Sequence, residues 1–360
     1  MNRAPIRVGI VGVHPGKGWA ATAHIPALQR LPQYRISALS HHDPATARAA
    51  AQAFGVPHAF SSAAELAACS EVDLVVVTVK VPRHSELVGQ AVAAGKAVFS
   101  EWPLGTGLQE AEAMRDLARQ AGVRTAIGLQ TRAAPAFVEA RRLVKDGYLG
   151  RVLSASVIGS GIIWGETMNE AYAYTLDPAN GAAMLNVPFA HSIDGLLHLL
   201  DTRLDKLSGM LGNVRGATRI LETGAELPMP VADQILLAGR MSNGAALSAH
   251  FRGGLSRATN FHVEINGSEG DLVITSPVGY VGVGGMVLRG ARGGEALHEL
   301  AVPDPLAAYG VDGPAQLVAG AYLQLAGDIF HGTRDAPDFD DAVALHRLVD
   351  AIARDTESLA

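Results

Sequence analysis

Short apolar runs and longer amphipathic segments alternate along the first third of the chain. The run Ile6–Val13 carries a glycine near its end and Val72–Val79 is rich in β-branched residues, so both are predicted to be buried strands of a parallel sheet. The further predicted strands are Tyr34–Ser40, Ala97–Ser100 and Thr125–Leu129, and the predicted helices are Ala20–Leu31, Pro44–Phe54, Ser85–Ala94 and Gln109–Ala121. This regular alternation predicts a doubly wound, Rossmann-type sheet over residues 1–129.

The pattern changes after residue 130. A helix is predicted at Ala136–Asp146, and period-two alternation broken by Gly- and Asn-containing turns follows it. The predicted strands are Val152–Ile158, Lys206–Leu211, Asp233–Met241, Ala245–Phe251, Asn260–Asn266, Gly270–Thr275 and a glycine-rich stretch around Gly279–Leu288, and two helices follow at Gln316–His331 and Asp340–Asp355. We therefore expect residues 130–360 to form an α+β domain on a large, mostly antiparallel sheet, and the chain as a whole to be α/β.

Composition narrows the classes of function. The 360 residues are 48% apolar with a formal net charge of −6, and the absence of a dense Lys/Arg cluster predicts no nucleic-acid partner. No apolar run reaches the roughly 18 residues of a membrane span, and the first residues lack the layout of a signal peptide, so no membrane association is expected. The single cysteine, Cys69, cannot form an internal disulfide, which favours a cytoplasmic location.

A strand, a glycine-containing loop and a helix follow one another near the N-terminus. Glycines let a backbone approach the phosphates of a dinucleotide, and a helix N-terminus offers unpaired N–H groups. The spacing differs from G-x-G-x-x-G, so a plain tight turn is the alternative interpretation. The predicted cofactor-binding residues of this loop are Gly12, His14, Gly16, Lys17, Gly18 and Trp19.

The end of the second predicted strand bears on the choice between NAD and NADP. An acidic residue at this point usually binds the adenosine ribose hydroxyls, whereas Ser40 and His41 stand here. They leave room for a 2′-phosphate, which a protonated histidine would attract. The predicted cofactor is therefore NAD(P), with a lean towards NADP. A solvated turn without a discriminating role is the alternative.

Landmarks spread over nearly the whole chain resemble the Gfo/Idh/MocA oxidoreductase family. They are His24-Ile25-Pro26-Ala27-Leu28, His84, Glu101-x-Pro103, Arg132 with Pro135, Gly147–Gly150, His191-x-x-Asp194 and Gly267-Ser268-Glu269-Gly270. Within the family, the resemblance is strongest to the branch of the fungal galactose-pathway co-repressors, through Lys17–Ala20, Glu101-Trp102, Gly128–Arg132 and Pro188–Asp194. The resemblance implies an NAD(P)-binding domain, a substrate-binding and oligomerisation domain, and a homo-oligomer, either a dimer or a tetramer.

The resemblance also identifies polar groups that are missing. Family members use the lysine of Glu-Lys-Pro, an aspartate four residues before a histidine of the second domain, and that histidine. These positions hold Trp102, Val187 and His191 here, with Asn186 beside the second of them. The family's alcohol oxidation is therefore not carried over unchanged. The cofactor contacts that the resemblance adds are Val79, His84, Glu101 and Trp102.

His191 is the strongest acid–base candidate that remains, because imidazole titrates near neutral pH. On a helix, Asp194 lies on the same face and could orient the His191 ring, whereas a purely structural His–Asp pair is the alternative. Lys80 follows the third predicted strand and either replaces the missing lysine or is an exposed loop residue. A metal site that adds His198 is less favoured, and no metal is predicted.

The predicted substrate-binding residues are Trp102, Arg132, Trp164, Tyr172, Asn186 and His191. Aromatic faces and amides suit a sugar, but the segment around Trp164 and Tyr172 also fits an ordinary loop, and Arg132 alternatively has a structural role between domains. We therefore expect NAD(P)-dependent hydride transfer on a carbohydrate-like small molecule: a sugar, glycoside or cyclitol. The alternatives are a non-catalytic NAD(P)-binding regulator with a protein partner, and a redox-neutral lyase or hydrolase that recycles the cofactor.

Overall fold

The computed structural model describes residues 4–280, 285–354 and 356–359. The strands are β1 Ile6–Val11, β2 Tyr34–Ser40, β3 His58–Phe60, β4 Leu74–Val77, β5 Ala97–Glu101, β6 Thr125–Gly128, β7 Val152–Ser160, β8 Thr167–Met168, β9 Leu204–Gly212, β10 Ala217–Ile220, β11 Glu226–Pro228, β12 Gln234–Met241, β13 Ala246–Arg252, β14 Phe261–Gly267, β15 Gly270–Ser276, β16 Val287–Arg292, β17 His298–Glu299 and β18 Thr356–Leu359. The α-helices are α1 Ile25–Arg30, α2 Pro44–Phe54, α3 Ala63–Ala68, α4 His84–Ala93, α5 Leu108–Ala121, α6 Pro135–Lys145, α7 Ala190–Leu199, α8 Gly313–His331 and α9 Phe339–Arg354. Short 3-10 or π-helical segments lie at Ala20–His24, Val81–Arg83, Gln130–Ala133, Glu170–Leu176, Pro178–Asn180, Leu185–Phe189 and Ala307–Tyr309.

Six parallel strands form the first sheet, in the order β3-β2-β1-β4-β5-β6. The sequence Leu-Val-Val-Val of β4 is buried throughout, as expected for a central parallel strand with both faces covered. The strand order reverses between β1 and β4, and doubly wound sheets bind ligands outside the carboxyl ends of the strands at such a point. The Rossmann-type prediction is confirmed.

Two compact units divide the chain. The first comprises Met1–Leu129 and Leu306–His346, and the second comprises Gln130–Pro305 and Arg347–Ala360. The division after residue 129 coincides with the expected boundary, but the expected assignment of all of 130–360 to the second domain differs from it. The segment Leu306–His346 groups with the first unit because Tyr322 of α8 packs among first-unit rings, with its ring centroid 5.2 Å from that of Tyr34.

Nine strands form the large sheet of the second unit, in the order β17-β16-β15-β14-β7-β13-β12-β9-β18. The described strand pairs are antiparallel except β7 with β13 and β9 with β18, so the mostly antiparallel prediction is confirmed. Alternation places Val157, Phe251 and Val263 on a buried face, where the Phe251 ring meets Phe189 at 5.2 Å. A three-stranded sheet, β11-β10-β8, accompanies it.

Local pattern located most elements but not the shortest ones. β2 and α2 have the predicted bounds, and α2 is closed by the Asp43 cap at one end and a left-handed Gly55 at the other. The predicted strand Val72–Val79 is shorter in the structure, where β4 comprises Leu74–Val77 only. The short β3, α3, β8, β10, β11, β17 and β18 were not predicted. Part of the predicted stretch Gly279–Leu288 lies outside the described residues, and β16 begins at Val287.

Candidate functional site

The ends of β1, β2 and β4 meet closely at Gly12. This residue has a φ of +85°, and a Cβ added to it would lie 2.4 Å from Cγ1 of Val79. The Gly12 N–H donates to the carbonyl of Ser40 at 2.9 Å. Gly12 therefore allows three strand ends to approach one another, and its own N–H is committed to that packing.

The rest of the first loop is open. Leaving out chain neighbours, no heavy atom lies within 4 Å of the position that a Cβ would take at Gly16 or Gly18, and Gly18 has a φ of +91°. Lys17 is also exposed, and the chain then enters the helical turn Ala20–His24, which continues into α1. Two exposed glycines, followed by a helix at the switch point of the sheet, fit the pyrophosphate of NAD(P).

The end of β2 carries polar residues, but the side chain of the first of them, Ser40, is not accessible. Ser40 is 2% exposed, and its hydroxyl has no hydrogen-bond partner in the described part of the chain. Nδ1 of His41 accepts a hydrogen bond from the Asp43 N–H at 3.1 Å. Burial lowers the pKa of His41, and the neighbouring His42 adds to this. The structure therefore leaves the histidines, and not Ser40, available to a ligand.

A buried histidine supports Glu101 at the end of β5. Nε2 of His24 lies 3.1 Å from Oε1 of Glu101, at ion-pair distance but without hydrogen-bond alignment. Nδ1 of His24 lies 2.8 Å from the hydroxyl of Tyr322, and the Trp19 ring meets the His24 ring edge-on at 6.4 Å. The sequence predicted Trp19 and Glu101 but gave His24 no role beyond the landmark that contains it.

Trp102 fills a buried position in the first unit. It is 5% exposed, and its ring lies 4.5 Å from that of His346 on α9. Burial lowers the pKa of His346 to about 4, so this imidazole is neutral at neutral pH. The sequence missed His346 because no local motif surrounds it.

His84 ties two loops together. Its Nδ1 lies 2.9 Å from the carbonyl of Pro103, and its Nε2 lies 2.9 Å from the carbonyl of Val79. Burial lowers the pKa of His84, so the neutral ring has a single N–H for these two acceptors. His84 therefore positions the loops that carry Val79 and Trp102, and the cofactor contact predicted for it stays a prediction.

Lys80 lies at the start of the short helical turn Val81–Arg83 that follows β4. Its side chain is exposed, whereas Val79 beside it is half-buried. The predicted role of Lys80 as a proton acceptor stays a prediction.

In the second unit, His191 lies in the first turn of α7. It is 8% exposed, and its ring is stacked on Tyr280 with the centroids 6.4 Å apart. Asp194, one turn later, accepts two hydrogen bonds from Arg132, at 2.8 Å from Nε and 2.7 Å from Nη2. Both carboxylate oxygens of Asp194 are thus bound by Arg132, which holds this carboxylate in place on α7, and the predicted orientation of the His191 ring by Asp194 stays a prediction.

The predicted substrate residues of the second unit differ in accessibility. Trp164 is 3% exposed, and its Nε1 is buried with no hydrogen-bond partner in the described part of the chain. Tyr172 is 48% exposed, and Asn186 is half-buried in the helical turn that leads into α7. Asn186 and His191 therefore share one continuous helical segment, whereas Trp164 is a core residue with a single orphaned donor.

Residues 4–280 and 285–354 contain no group of three or more His, Cys, Asp or Glu side chains that could hold a metal ion. None of their helices has the length and the apolar character that crossing a membrane would require.

Comparison with known proteins adds two family matches. Residues 6–129 match the model of the oxidoreductase family with an NAD-binding Rossmann fold, and residues 135–276 match the model of the Gal80p C-terminal domain. The glycine loop and the buried Trp102 therefore belong to a unit of known NAD-binding type, which identifies NAD(P) as its cofactor.

Relatives of two kinds match both units. The galactose/lactose metabolism regulatory protein GAL80 of Saccharomyces cerevisiae is 30% identical over 306 residues, which span 80% of this chain and 70% of that protein. Levoglucosan dehydrogenase of Pseudarthrobacter phenanthrenivorans is 25% identical over 297 residues, 74% of this chain and 73% of the dehydrogenase. The crystal structure of a super-repressor mutant of Saccharomyces cerevisiae Gal80p superposes with a TM-score of 0.90 at 26% identity, covering 98% of this chain and 96% of that one.

Proposed function

Because the chain belongs to the Gfo/Idh/MocA oxidoreductase family, close to its Gal80 branch, we propose that it is an NAD(P)-dependent oxidoreductase that acts on a sugar, glycoside or cyclitol. The observation that carries this proposal is His191, an imidazole held by ring stacking at the start of α7. Similarity to levoglucosan dehydrogenase supports a carbohydrate-like substrate.

The first unit supplies the cofactor residues. The open loop around Gly16, Lys17 and Gly18 would hold the pyrophosphate, and Glu101 stands at the end of β5, with Oε1 3.1 Å from Nε2 of His24. When bound, NAD(P) supplies the hydride acceptor or donor. Trp102 offers no ionisable group, because an indole N–H only donates hydrogen bonds.

The second unit supplies the proton acceptor. In the proposed oxidation, the substrate hydroxyl transfers its proton to the imidazole of His191 as the carbon loses hydride. Stacking on Tyr280 restricts the orientation of the His191 ring, and the ion pair of Arg132 and Asp194 fixes the next turn of α7. Asn186 and the exposed Tyr172 are the groups proposed to bind substrate hydroxyls. Lys80 is the competing proton acceptor.

Turnover of a substrate panel tests the proposal. The purified chain is mixed with NAD⁺ or NADP⁺ and with aldoses, glycosides including levoglucosan, and cyclitols, and reduced nicotinamide is followed by its absorbance. We expect turnover that falls by roughly 10²–10⁴-fold in His191→Ala, the usual contribution of a general base. His198→Ala, on the same helix, is the matched control and should retain activity. A loss confined to Lys80→Ala would assign the proton to Lys80 instead.

A second candidate function is a non-catalytic regulator that binds NAD(P) and a protein partner. The observation that favours it is Trp102, which takes the position of the family lysine and is buried against His346. Similarity to GAL80 supports the same candidate. Cofactor binding without turnover on the whole panel would favour the regulator, and product analysis of the same mixtures would detect a redox-neutral lyase or hydrolase.

The open face of the nine-stranded sheet supports a homo-oligomer. His250 and Ile158 lie on this face with Ser156 and Ala238, and they are half-buried or exposed. This mixture of small, polar and apolar side chains suits packing against the flat sheet face of a second copy of the chain. Light scattering should give a dimer or a tetramer, and Ile158→Arg should shift it towards monomer.

A further inference from the structure

A buried array of three polar side chains connects α8 to the end of β5 in the first unit. Nδ1 of His24 lies 2.8 Å from the hydroxyl of Tyr322, and Nε2 of His24 lies 3.1 Å from Oε1 of Glu101. His24 and Tyr322 are fully buried, whereas the Glu101 side chain is 15% exposed. Tyr322 is 298 residues from His24 in the sequence, so only the packing of α8 creates this polar array.

Aromatic rings hold the imidazole of His24 in place. The rings of Phe99 and Tyr322 each meet the His24 ring edge-on, with the centroids 5.8 Å apart, and the Trp19 ring meets it at 6.4 Å. Edge-to-face packing favours a defined orientation of the rings as well as a defined distance. The two nitrogens of His24 therefore face fixed partners, with Nδ1 towards α8 and Nε2 towards β5.

The hydrogens of the polar array have one consistent arrangement. Burial raises the pKa of Tyr322 well above its usual value, so the phenol keeps its hydrogen. Because a buried hydroxyl needs an acceptor and Nδ1 of His24 is its partner, Tyr322 donates to Nδ1. The imidazole hydrogen is then on Nε2, facing the Glu101 carboxylate. The opposite tautomer would leave the Tyr322 hydrogen without an acceptor among the described residues.

The donor on Nε2 favours one orientation of Glu101. Nε2 of His24 is buried and makes no aligned hydrogen bond, although Oε1 of Glu101 is only 3.1 Å away. An unpaired buried donor is destabilising, so a rotation of the carboxylate that aligns Oε1 with Nε2–H is favourable. Glu101 is the last residue of β5, at the carboxyl edge where doubly wound sheets bind their ligands. The array therefore presents an oriented carboxylate at this edge.

We propose that Tyr322 and His24 are positioning residues for NAD(P), which orient Glu101 as the acceptor for a hydroxyl of the bound cofactor. The inference rests on the NAD(P) use of the first unit and is independent of turnover. It makes cofactor affinity depend on α8, a helix from the C-terminal part of the chain that packs on the first unit.

Equilibrium binding of NADPH and NADH to the purified full chain tests the proposal without requiring activity. Tyr322→Phe keeps the packed ring and removes one hydroxyl, so it should raise the Kd for the bound cofactor by about fivefold, the scale of one hydrogen bond. Tyr34→Phe is the matched control, because the Tyr34 hydroxyl is also buried but donates to the backbone carbonyl of Tyr322, at 2.7 Å. Both variants should lose similar stability in urea denaturation, but Tyr34→Phe should leave the Kd within about twofold.

Two further measurements separate positioning from a purely structural role. Adding Tyr322→Phe to Glu101→Ala should change the Kd by less than about twofold, because no carboxylate remains to be oriented. Nitrogen-15 NMR of histidine-labelled protein, with the His24 signals identified by their loss in His24→Gln, should show the hydrogen on Nε2 in the unchanged chain. Tyr322→Phe should remove this single tautomeric state.

Equal effects of Tyr322→Phe and Tyr34→Phe on the Kd would overturn the positioning role and leave NAD(P) use intact. A hydrogen on Nδ1 of His24 in the unchanged chain would do the same, and so would a fivefold effect of Tyr322→Phe that persists in Glu101→Ala. If the unchanged chain binds neither cofactor, NAD(P) use and this inference fail together.

Discussion

Replacing Gly12 with alanine tests the close approach of the loops after β1 and β4. Alanine in the left-handed region, here at a φ of +85°, costs about 1–2 kcal/mol. Its methyl group, 2.4 Å from Cγ1 of Val79, adds an overpacking cost of about 1–3 kcal/mol, and the stiffer unfolded chain offsets about 0.4–1 kcal/mol. We expect the free energy of unfolding of the first unit to fall by about 2–4 kcal/mol.

Gly18→Ala is the matched control, because Gly18 has a φ of +91° but open space where the Cβ would lie. It carries the backbone cost alone, so its loss should be about 1 kcal/mol. Urea denaturation of the cofactor-free protein, followed by circular dichroism, measures both losses. Val79→Ala combined with Gly12→Ala should recover the steric part but not the backbone part.

Equal losses for Gly12→Ala and Gly18→Ala would refute the steric reasoning, and so would a double variant as unstable as the sum of its two single changes. Either result would mean that Gly12 is required for its backbone conformation only.

Three further predictions concern stability. Asp194→Asn removes the negative charge that accepts two hydrogen bonds from the largely buried Arg132 guanidinium, and it should cost about 3–5 kcal/mol in urea denaturation. Asp205→Asn, in a surface pair, should cost less than about 1 kcal/mol, and similar costs for the two variants would contradict the buried-pair argument. The pKa of His346 is about 4 in the folded state and 6.5 in the unfolded state, so its contribution to stability is complete above pH 6.5. This contribution, up to about 3 kcal/mol, is lost as the pH falls towards 4. His346→Leu should therefore flatten the stability–pH curve between pH 6.5 and pH 4, and an unchanged slope would show that other groups cause the pH dependence. Ser62→Ala removes the N-cap of α3 and should lower stability by about 1 kcal/mol, a loss that Ser62→Asp should not show.

Long periodic segments were predictable because their signal is local. α2 has a capping residue, a proline in its first turn and a glycine after its last, so its bounds followed from the sequence. β3 has three residues and β8 has two, which is too short for an alternation to be recognised. Their strand character comes from neighbours: β3 pairs with β2, and β8 with β10.

The candidate site residues also divide into those that a local motif reveals and those that depend on distant contacts. The sequence alone located the glycine loop, the loss of the family lysine at Trp102, and His191 on its helix, because each is a residue type at a recognisable place in a motif. It could not assign Arg132 to Asp194, 62 residues away, because that ion pair depends on how distant segments pack.

By itself, the sequence determined the class of each long element, the position of the glycine-rich first loop and the absence of an ionisable group at Trp102. Tertiary structure alone decided that Trp102 lies against His346, that His84 ties two loops together, and that His14 meets His41. The reason is physical: backbone periodicity and turn chemistry act over a few neighbouring residues, whereas ion pairs, ring contacts and burial depend on which distant surfaces the packed core brings together.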